Sequence, residues 1–144
     1  FHLPSIDAPL ILIGAGTGIA PLIAFLRHRA TQNSNQKHWL FFGEQYKNCD
    51  FYFQDEIKQL KQQGVITQLN LAWSRDDNAS YIGEHIKQQH ALLRHWINEL
   101  GAYIYVCGNQ TGFGDSVGTV LNNLLGKEKY VLMKQNGRLR TDLY

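Results

Sequence analysis

Leu10-Ile11-Leu12-Ile13-Gly14-Ala15-Gly16-Thr17-Gly18-Ile19-Ala20-Pro21-Leu22-Ile23 is the stretch whose reading decides the fold. Four apolar residues read as a short buried strand. They run into three glycines within five positions. Ile19, Leu22, Ile23 and Leu26 then recur at helical spacing, with Pro21 tolerated near the helix start. Strand, glycine-rich turn and helix together open a βα unit. The glycines let the backbone approach a ligand closely, and the helix start offers free N–H groups and a positive dipole end, suited to a phosphate. Thr17 adds a hydroxyl donor. The stretch departs from the common dinucleotide fingerprint, because Ile19 stands in the place of the third glycine. It is no P-loop either, since no Lys-Ser or Lys-Thr follows. On these residues alone, an ordinary tight turn is the plainer alternative.

The alternation continues along the chain. Trp39 to Phe42 reads as a second strand, stopped at Gly43. Phe53, Ile57 and Leu60 mark a helix ending near Gly64. Val65, Thr67, Leu69, Leu71 and Trp73 alternate as a third strand, and a polar loop runs from Ser74 to Ser80. Leu92, Leu93, Trp96, Ile97 and Leu100 make one face of a helix that stops at Gly101. Tyr103 to Val106 is a fourth strand, running into Cys107-Gly108. Val117, Val120, Leu121, Leu124 and Leu125 stripe the next helix. A short helix over Glu128 to Gln135 and a final strand over Leu139 to Tyr144 complete the chain. Such alternation predicts an α/β fold with a parallel sheet. Ligands of these sheets sit outside the carboxyl ends of the strands, at the switch point. Gly14 to Gly18, Gly43-Glu44, Ser74-Arg75 and Cys107-Gly108 all begin where a strand stops.

The chain has 144 residues, one domain's worth, with 44% apolar and 18% charged side chains. That composition is globular. A net charge of +2 leaves no electrostatic footprint for nucleic acid or an anionic membrane. No apolar run reaches the length of a spanning helix, and no signal peptide pattern is visible. The chain opens on Phe1, which reads as a piece of a larger protein. Two cysteines, Cys49 and Cys107, exclude a disulfide scaffold or zinc ribbon and point to a reducing compartment. His85, His90 and His95 recur every five residues, a helical rotation of about 140° per step. Paired metal ligands prefer spacings of three or four, so no metal site is expected. Gly114-Asp115-Ser116-Val117-Gly118 fits the hydrolase pattern GxSxG, but that serine belongs on a sharp turn straight after a strand. Ser116 falls at or inside a helix, and no histidine follows His95, so acyl hydrolysis is set aside. A non-catalytic nucleotide-binding module is the remaining rival class.

Gly14-Ala15-Gly16-Thr17-Gly18-Ile19-Ala20-Pro21 resembles the GxGTGIAP motif of the ferredoxin–NADP reductase family, most closely its diflavin reductases such as the sulfite reductase flavoprotein. In order along the chain, Phe42-Gly43-Glu44, Ser74-Arg75-Asp76, Tyr105-Val106-Cys107-Gly108 and Asp142-Leu143-Tyr144 carry the same likeness. The resemblance implies a doubly wound five-stranded parallel sheet in order 3-2-1-4-5, with helices on both faces. It implies that residues 1–144 are one NAD(P)-binding domain, the C-terminal lobe of a larger flavoprotein whose FAD-binding lobe precedes Phe1. The implied work is to bind NADPH and present its nicotinamide for hydride transfer to FAD, which passes electrons to FMN on a flavodoxin-like module or to a haem or iron–sulfur acceptor. A non-catalytic nucleotide-binding module and an NADH-preferring flavin reductase are the alternatives. The implied setting is cytoplasmic, with the parent chain soluble or membrane-attached. Alone, the lobe is expected to be inactive.

The resemblance also assigns residues. Gly16, Thr17 and Gly18 would cradle the pyrophosphate. Ser74 and Arg75 would hold the 2′-phosphate, and a charged hydrogen bond of about 1.5–3 kcal/mol is enough to set cofactor preference. The family pattern continues with a lysine, a tyrosine and a glutamine, where this chain reads Ser80-Tyr81-Ile82-Gly83-Glu84. Tyr81 stands for the tyrosine if one residue is deleted; the lysine is missing, and Gly83 or Glu84 replaces the glutamine. Gln45 stands where some members carry arginine. A carboxylate near a phosphate is unfavourable, so the expected NADPH preference is reduced and NADH use is an alternative. Cys107 would lie beside the nicotinamide without forming a covalent intermediate. Gly108, Asn109 and Gln110 follow it, near the nicotinamide ribose or pyrophosphate. Asp142 and Tyr144, two apart on a strand, face one side; the aspartate would stabilise developing charge and the ring would stack on the flavin.

Overall fold

Strands buried on both faces set the architecture. The computed structural model describes residues 1–45, 53–76 and 79–144; Cys49, and Asp77 and Asn78 of the polar loop, lie outside them. In β1 (Leu10–Ala15), Leu10 and Leu12 point to one side and Ile11 and Ile13 to the other, each 1% exposed or less. A strand apolar on both faces needs a helical layer on each. α1 (Ile19–Thr31) and α2 (Gln54–Gln62) cover the Leu10–Leu12 side, with Ile23, Leu26 and Ile57 in that core. α3 (Ile82–Gln88), α4 (His90–Asn98), α5 (Asp115–Leu125) and α6 (Lys127–Gln135) supply the other core, through residues such as Ile86, Trp96 and Val117.

β2 (His38–Glu44) and β4 (Tyr103–Gly108) flank β1, with β3 (Gln68–Trp73) and β5 (Leu139–Leu143) outside them. The sheet is parallel throughout, in the order β3-β2-β1-β4-β5 that the resemblance implies. The switch point lies between β1 and β4.

Boundaries differ from the sequence reading in informative ways. The third strand starts at Gln68 rather than Val65. Ile66 is buried as part of the connection, and the Thr67 amide already bonds the His38 carbonyl. Gly14 and Ala15 belong to β1, so the turn proper is Gly16–Gly18. The final strand ends at Leu143. Ile82 to Glu84, read from sequence as part of a binding segment, open a helix that spans Ile82–Gln88. Its Gly83 is buried, because a β-carbon there would lie 3.3 Å from Val120 and 3.4 Å from the Ser116 hydroxyl. His85 falls on α3, His90 and His95 on α4.

At the amino edge of the sheet, a buried polar cluster fastens the segment before β1. Arg29, 3% exposed, donates to the Ala8 carbonyl at 2.8 Å and pairs with Asp7 at 3.0 Å. The His38 ring, 1% exposed, donates from Nδ1 to the Val65 carbonyl and accepts from Arg29 at Nε2. Further up, the Phe1 ring packs on Phe25 and edge-on to Tyr105. The His2 carbonyl accepts from both Tyr105 Oη at 2.6 Å and Arg140 Nη1 at 2.7 Å.

Burial holds the His38 pKa below its ordinary 6.5, with the Arg29 charge adding to this against the Val65 hydrogen bond. The unfolded chain therefore binds the proton first as pH falls. Stability is full above about pH 6.5 and declines as pH drops through that value. Denaturant midpoints of the wild type and His38→Gln test this. The wild type is expected to lose ground to the variant on acidification from about pH 7.5 to 5.5. A pH-independent difference would remove His38 from the effect.

Candidate functional site

Parallel register brings the strand ends into one row. Gly14 lies opposite Phe42 on β2 and Cys107 on β4, and Cys107 lies opposite Asp142 on β5. Above this row the chain must turn from β1 into α1 in very little space. Gly16 takes φ 56, a left-handed conformation that favours glycine. Gly18 is buried directly on β4: a β-carbon there would come within 2.4 Å of the Cys107 carbonyl oxygen and 2.9 Å of the Gly108 nitrogen. Gly18 is thus required by packing, while Thr17 is exposed at the tip of the turn.

Tyr144 reaches across to that tip. Its hydroxyl lies 2.9 Å from Thr17 Oγ1, and the residue is 62% exposed. The backbone holds it there, since the Tyr144 amide donates to the Gly108 carbonyl and the Gln110 amide donates to the Tyr144 carbonyl. Cys107 is 2% exposed. Burial pushes its thiol pKa up, and the Asp142 carboxylate adds to this. The thiol is therefore protonated at neutral pH, a poor nucleophile and a compact packing group.

Asn109 and Gln110 shape the following loop. Asn109 Oδ1 accepts from the Thr111 amide, and Gln110 Nε2 donates to Asp115 Oδ1. With Gly112 at φ 83, these contacts turn the chain into α5. Gln110 borders a separate cavity of about 360 Å³ between β5, α5 and α6.

The larger cleft, about 700 Å³, opens at the carboxyl ends of β1, β2 and β3. Ser74, Arg75, Ser80 and Tyr81 line it together with Ala15, Glu44, Phe113 just before α5 and Ser116 in the first turn of α5. Backbone pairing runs on past the strand ends to set this wall: the Ser74 amide donates to the Glu44 carbonyl, and the Arg75 amide to Gln45. The volume suits a nucleotide-sized ligand. Ser74, Arg75 and Tyr81 are thus brought together, as read from the sequence. Gly16 to Gly18, Cys107, Asp142 and Tyr144 gather at the ends of β1, β4 and β5, and Ala15 joins the two regions.

Glu44, Ser80, Phe113 and Ser116 line the cleft without having been singled out as binding residues. Glu44 sits at a strand's carboxyl end, which was its available signal. Ser116 stood out only through the GxSxG pattern, yet it lies in the first turn of α5, well past the end of β4. It is not a nucleophile elbow.

A doubly wound sheet with a glycine turn at the switch point and a cleft over its carboxyl edge is a nucleotide-binding lobe. More particularly, the chain belongs to the oxidoreductase NAD-binding domain family, which it matches over residues 12–117. It is 40% identical over 130 residues to the sulfite reductase [NADPH] flavoprotein alpha-component of Zymomonas mobilis, covering 89% of this chain and 22% of that protein. The proteins of the same name from Shigella flexneri and Escherichia coli are each 40% identical over 129 residues, covering 88% of this chain and 21% of theirs. The chain spans about a fifth of the length of these relatives. Among the described residues, no helix is long and apolar enough to cross a membrane.

The Gly18 contact leads to a measurable cost. Gly18→Ala forces the turn off β4 against a backbone atom, and is expected to destabilise by about 1–3 kcal/mol. Thr17→Ala, on the exposed tip, is expected to stay within about 0.5 kcal/mol. Chemical denaturation of both variants checks this; equal midpoints would show that the turn accommodates the extra methyl group.

Proposed function

We propose that this chain is the NADPH-binding lobe of an FAD-dependent oxidoreductase. It presents the nicotinamide for hydride transfer to FAD, which hands electrons on to FMN or to a haem or iron–sulfur partner. The observation that carries this reading is the cleft wall of Ser74, Arg75 and Tyr81, two strands away from the glycine turn with β2 between them. That arrangement suits a nucleotide lying across the strand ends, with its adenosine phosphate at β3 and its pyrophosphate at β1. The relatives' printed name, an NADPH flavoprotein, supports it.

In this reading residues 1–144 form one lobe, and the remainder of the parent chain supplies the FAD-binding lobe. Bound NADPH supplies the hydride and FAD accepts it. The protein's own part is positioning. Gly16, Thr17 and Gly18 hold the pyrophosphate. Ser74, Arg75 and Tyr81 grip the 2′-phosphate and adenosine. Gly108, Asn109 and Gln110 border the nicotinamide ribose or the pyrophosphate. Cys107, a neutral buried thiol, steadies the nicotinamide without covalent bonding. Asp142 stabilises developing charge, and Tyr144 shields the flavin-facing side. The parent is cytoplasmic, and the lobe alone binds nucleotide but turns nothing over.

A second reading, NADH preference or dual use, is favoured by Glu44. Its carboxylate lies over the glycine turn, where a β-carbon on Gly16 would come 2.8 Å from Glu44 Oε2, so it can accept from a ribose hydroxyl and disfavours a phosphate beside it. Calorimetry with 2′-phospho-AMP and AMP at one ionic strength separates the two. The NADPH reading expects about tenfold or greater preference for the 2′-phosphate, lost in Arg75→Ala. Equal binding by the wild type favours NADH or dual use, and NADPH oxidation by this chain without added flavin lobe would overturn the division of labour.

A further inference from the structure

Ser80 stands at the edge of the nucleotide cleft, at the end of a hydrogen-bond chain that starts in the core. Trp39, fully buried, donates from Nε1 to Asn70 Oδ1 at 2.8 Å. Asn70 Nδ2 lies 3.1 Å from His85 Nδ1, and His85 Nε2 lies 3.1 Å from Ser80 Oγ.

The direction of this chain is forced from its buried end. An indole N–H can only donate, so Asn70 must turn its oxygen to Trp39 and its amide N–H to His85. His85 Nδ1 is then the acceptor, and the ring proton resides on Nε2. That N–H donates to Ser80 Oγ, so the Ser80 hydroxyl accepts from the imidazole and keeps its own proton for another partner. No acceptor among the described residues takes that proton. The Ser80 backbone is fixed as well, its amide donating to the Trp73 carbonyl at 3.2 Å. The hydroxyl shares the cleft with Ser74, Arg75 and Tyr81.

We propose that Ser80 is a specificity-determining donor to a phosphate oxygen of the nucleotide, and that Asn70 and His85 are positioning residues that hold its oxygen and leave its proton free to donate. This rests on the NADPH reading above and adds a hydroxyl to the Ser74–Arg75 pair at the adenosine end. A donor whose partner is set in advance loses little freedom on binding, so a neutral hydroxyl contributes where a longer, freer cation is absent.

Calorimetry of this chain with 2′-phospho-AMP and AMP tests it, at about pH 8 and fixed ionic strength. Ser80→Ala is expected to weaken 2′-phospho-AMP about tenfold while leaving AMP unchanged, and Ser80→Thr to restore the loss. In nitrogen-correlated NMR, His85 is expected as the Nε2–H tautomer. Asn70→Leu, which leaves Ser80 in place, is expected to disturb that tautomer and to lower the same preference. Unchanged selectivity in Ser80→Ala, alongside a wild type that still prefers 2′-phospho-AMP, overturns the inference and spares the NADPH reading. An Nδ1–H tautomer of His85 overturns the chain's direction and the inference with it. Equal binding of both nucleotides by the wild type overturns the 2′-phosphate reading and the inference together.

Discussion

Gly18 rests on the backbone of Cys107 with no room for a β-carbon between them. Much else at the carboxyl edge follows from that contact. It joins the first βα turn to the end of β4 across the switch point, so the tip of the turn and the end of the strand move as one body. Sheet register then carries the arrangement outward, with Asp142 beside Cys107 and Tyr144 returning to Thr17. The positions of these groups derive from strand pairing and one close approach, which are stiff, rather than from loop conformation. The cleft at β2 and β3 hangs on the same frame through Ala15.

The two regions differ in electrostatic character. Around β4 and β5, an aspartate faces a neutral thiol, and the nearby hydroxyls of Thr17 and Tyr144 bond each other. At β3 a guanidinium and several hydroxyls line an open cleft, and the Glu44 carboxylate from β2, which also lines it, lies against Gly16 of the first turn. The first is a weakly charged surface, with Thr17, Asp142 and Tyr144 exposed above the buried Cys107. The second suits a charged, hydrated end of a ligand.

The sheet was legible because its strands are short apolar runs punctuated by glycine, and because βα alternation leaves few topologies. Ser74, Arg75 and Tyr81 were legible as a group because they follow one strand. Two things were hidden. The helix Ile82–Gln88 carries a glycine and too short an apolar pattern to announce itself; packing on α5 makes it helical, and Gly83 is what lets the two helices meet. The contribution of Ser80 depends on Asn70 and Trp39, which lie on different strands, and no local pattern reveals a chain that crosses the sheet. Gly18, read as a phosphate residue, turned out to have a packing role that sequence spacing alone does not distinguish from binding.

The segment before β1 has a mechanical consequence. Phe1 is wedged between Phe25 and Tyr105, and the His2 carbonyl is gripped by Tyr105 and Arg140 together. A pull on residue 1 is therefore borne first by α1, β4 and β5, through Phe25, Tyr105 and Arg140. Tyr105 and Arg140 each lie two residues before Cys107 and Asp142 on the same strands. Tension or rotation applied at the amino end is delivered along a stiff path to the pair of residues closest to the proposed reaction.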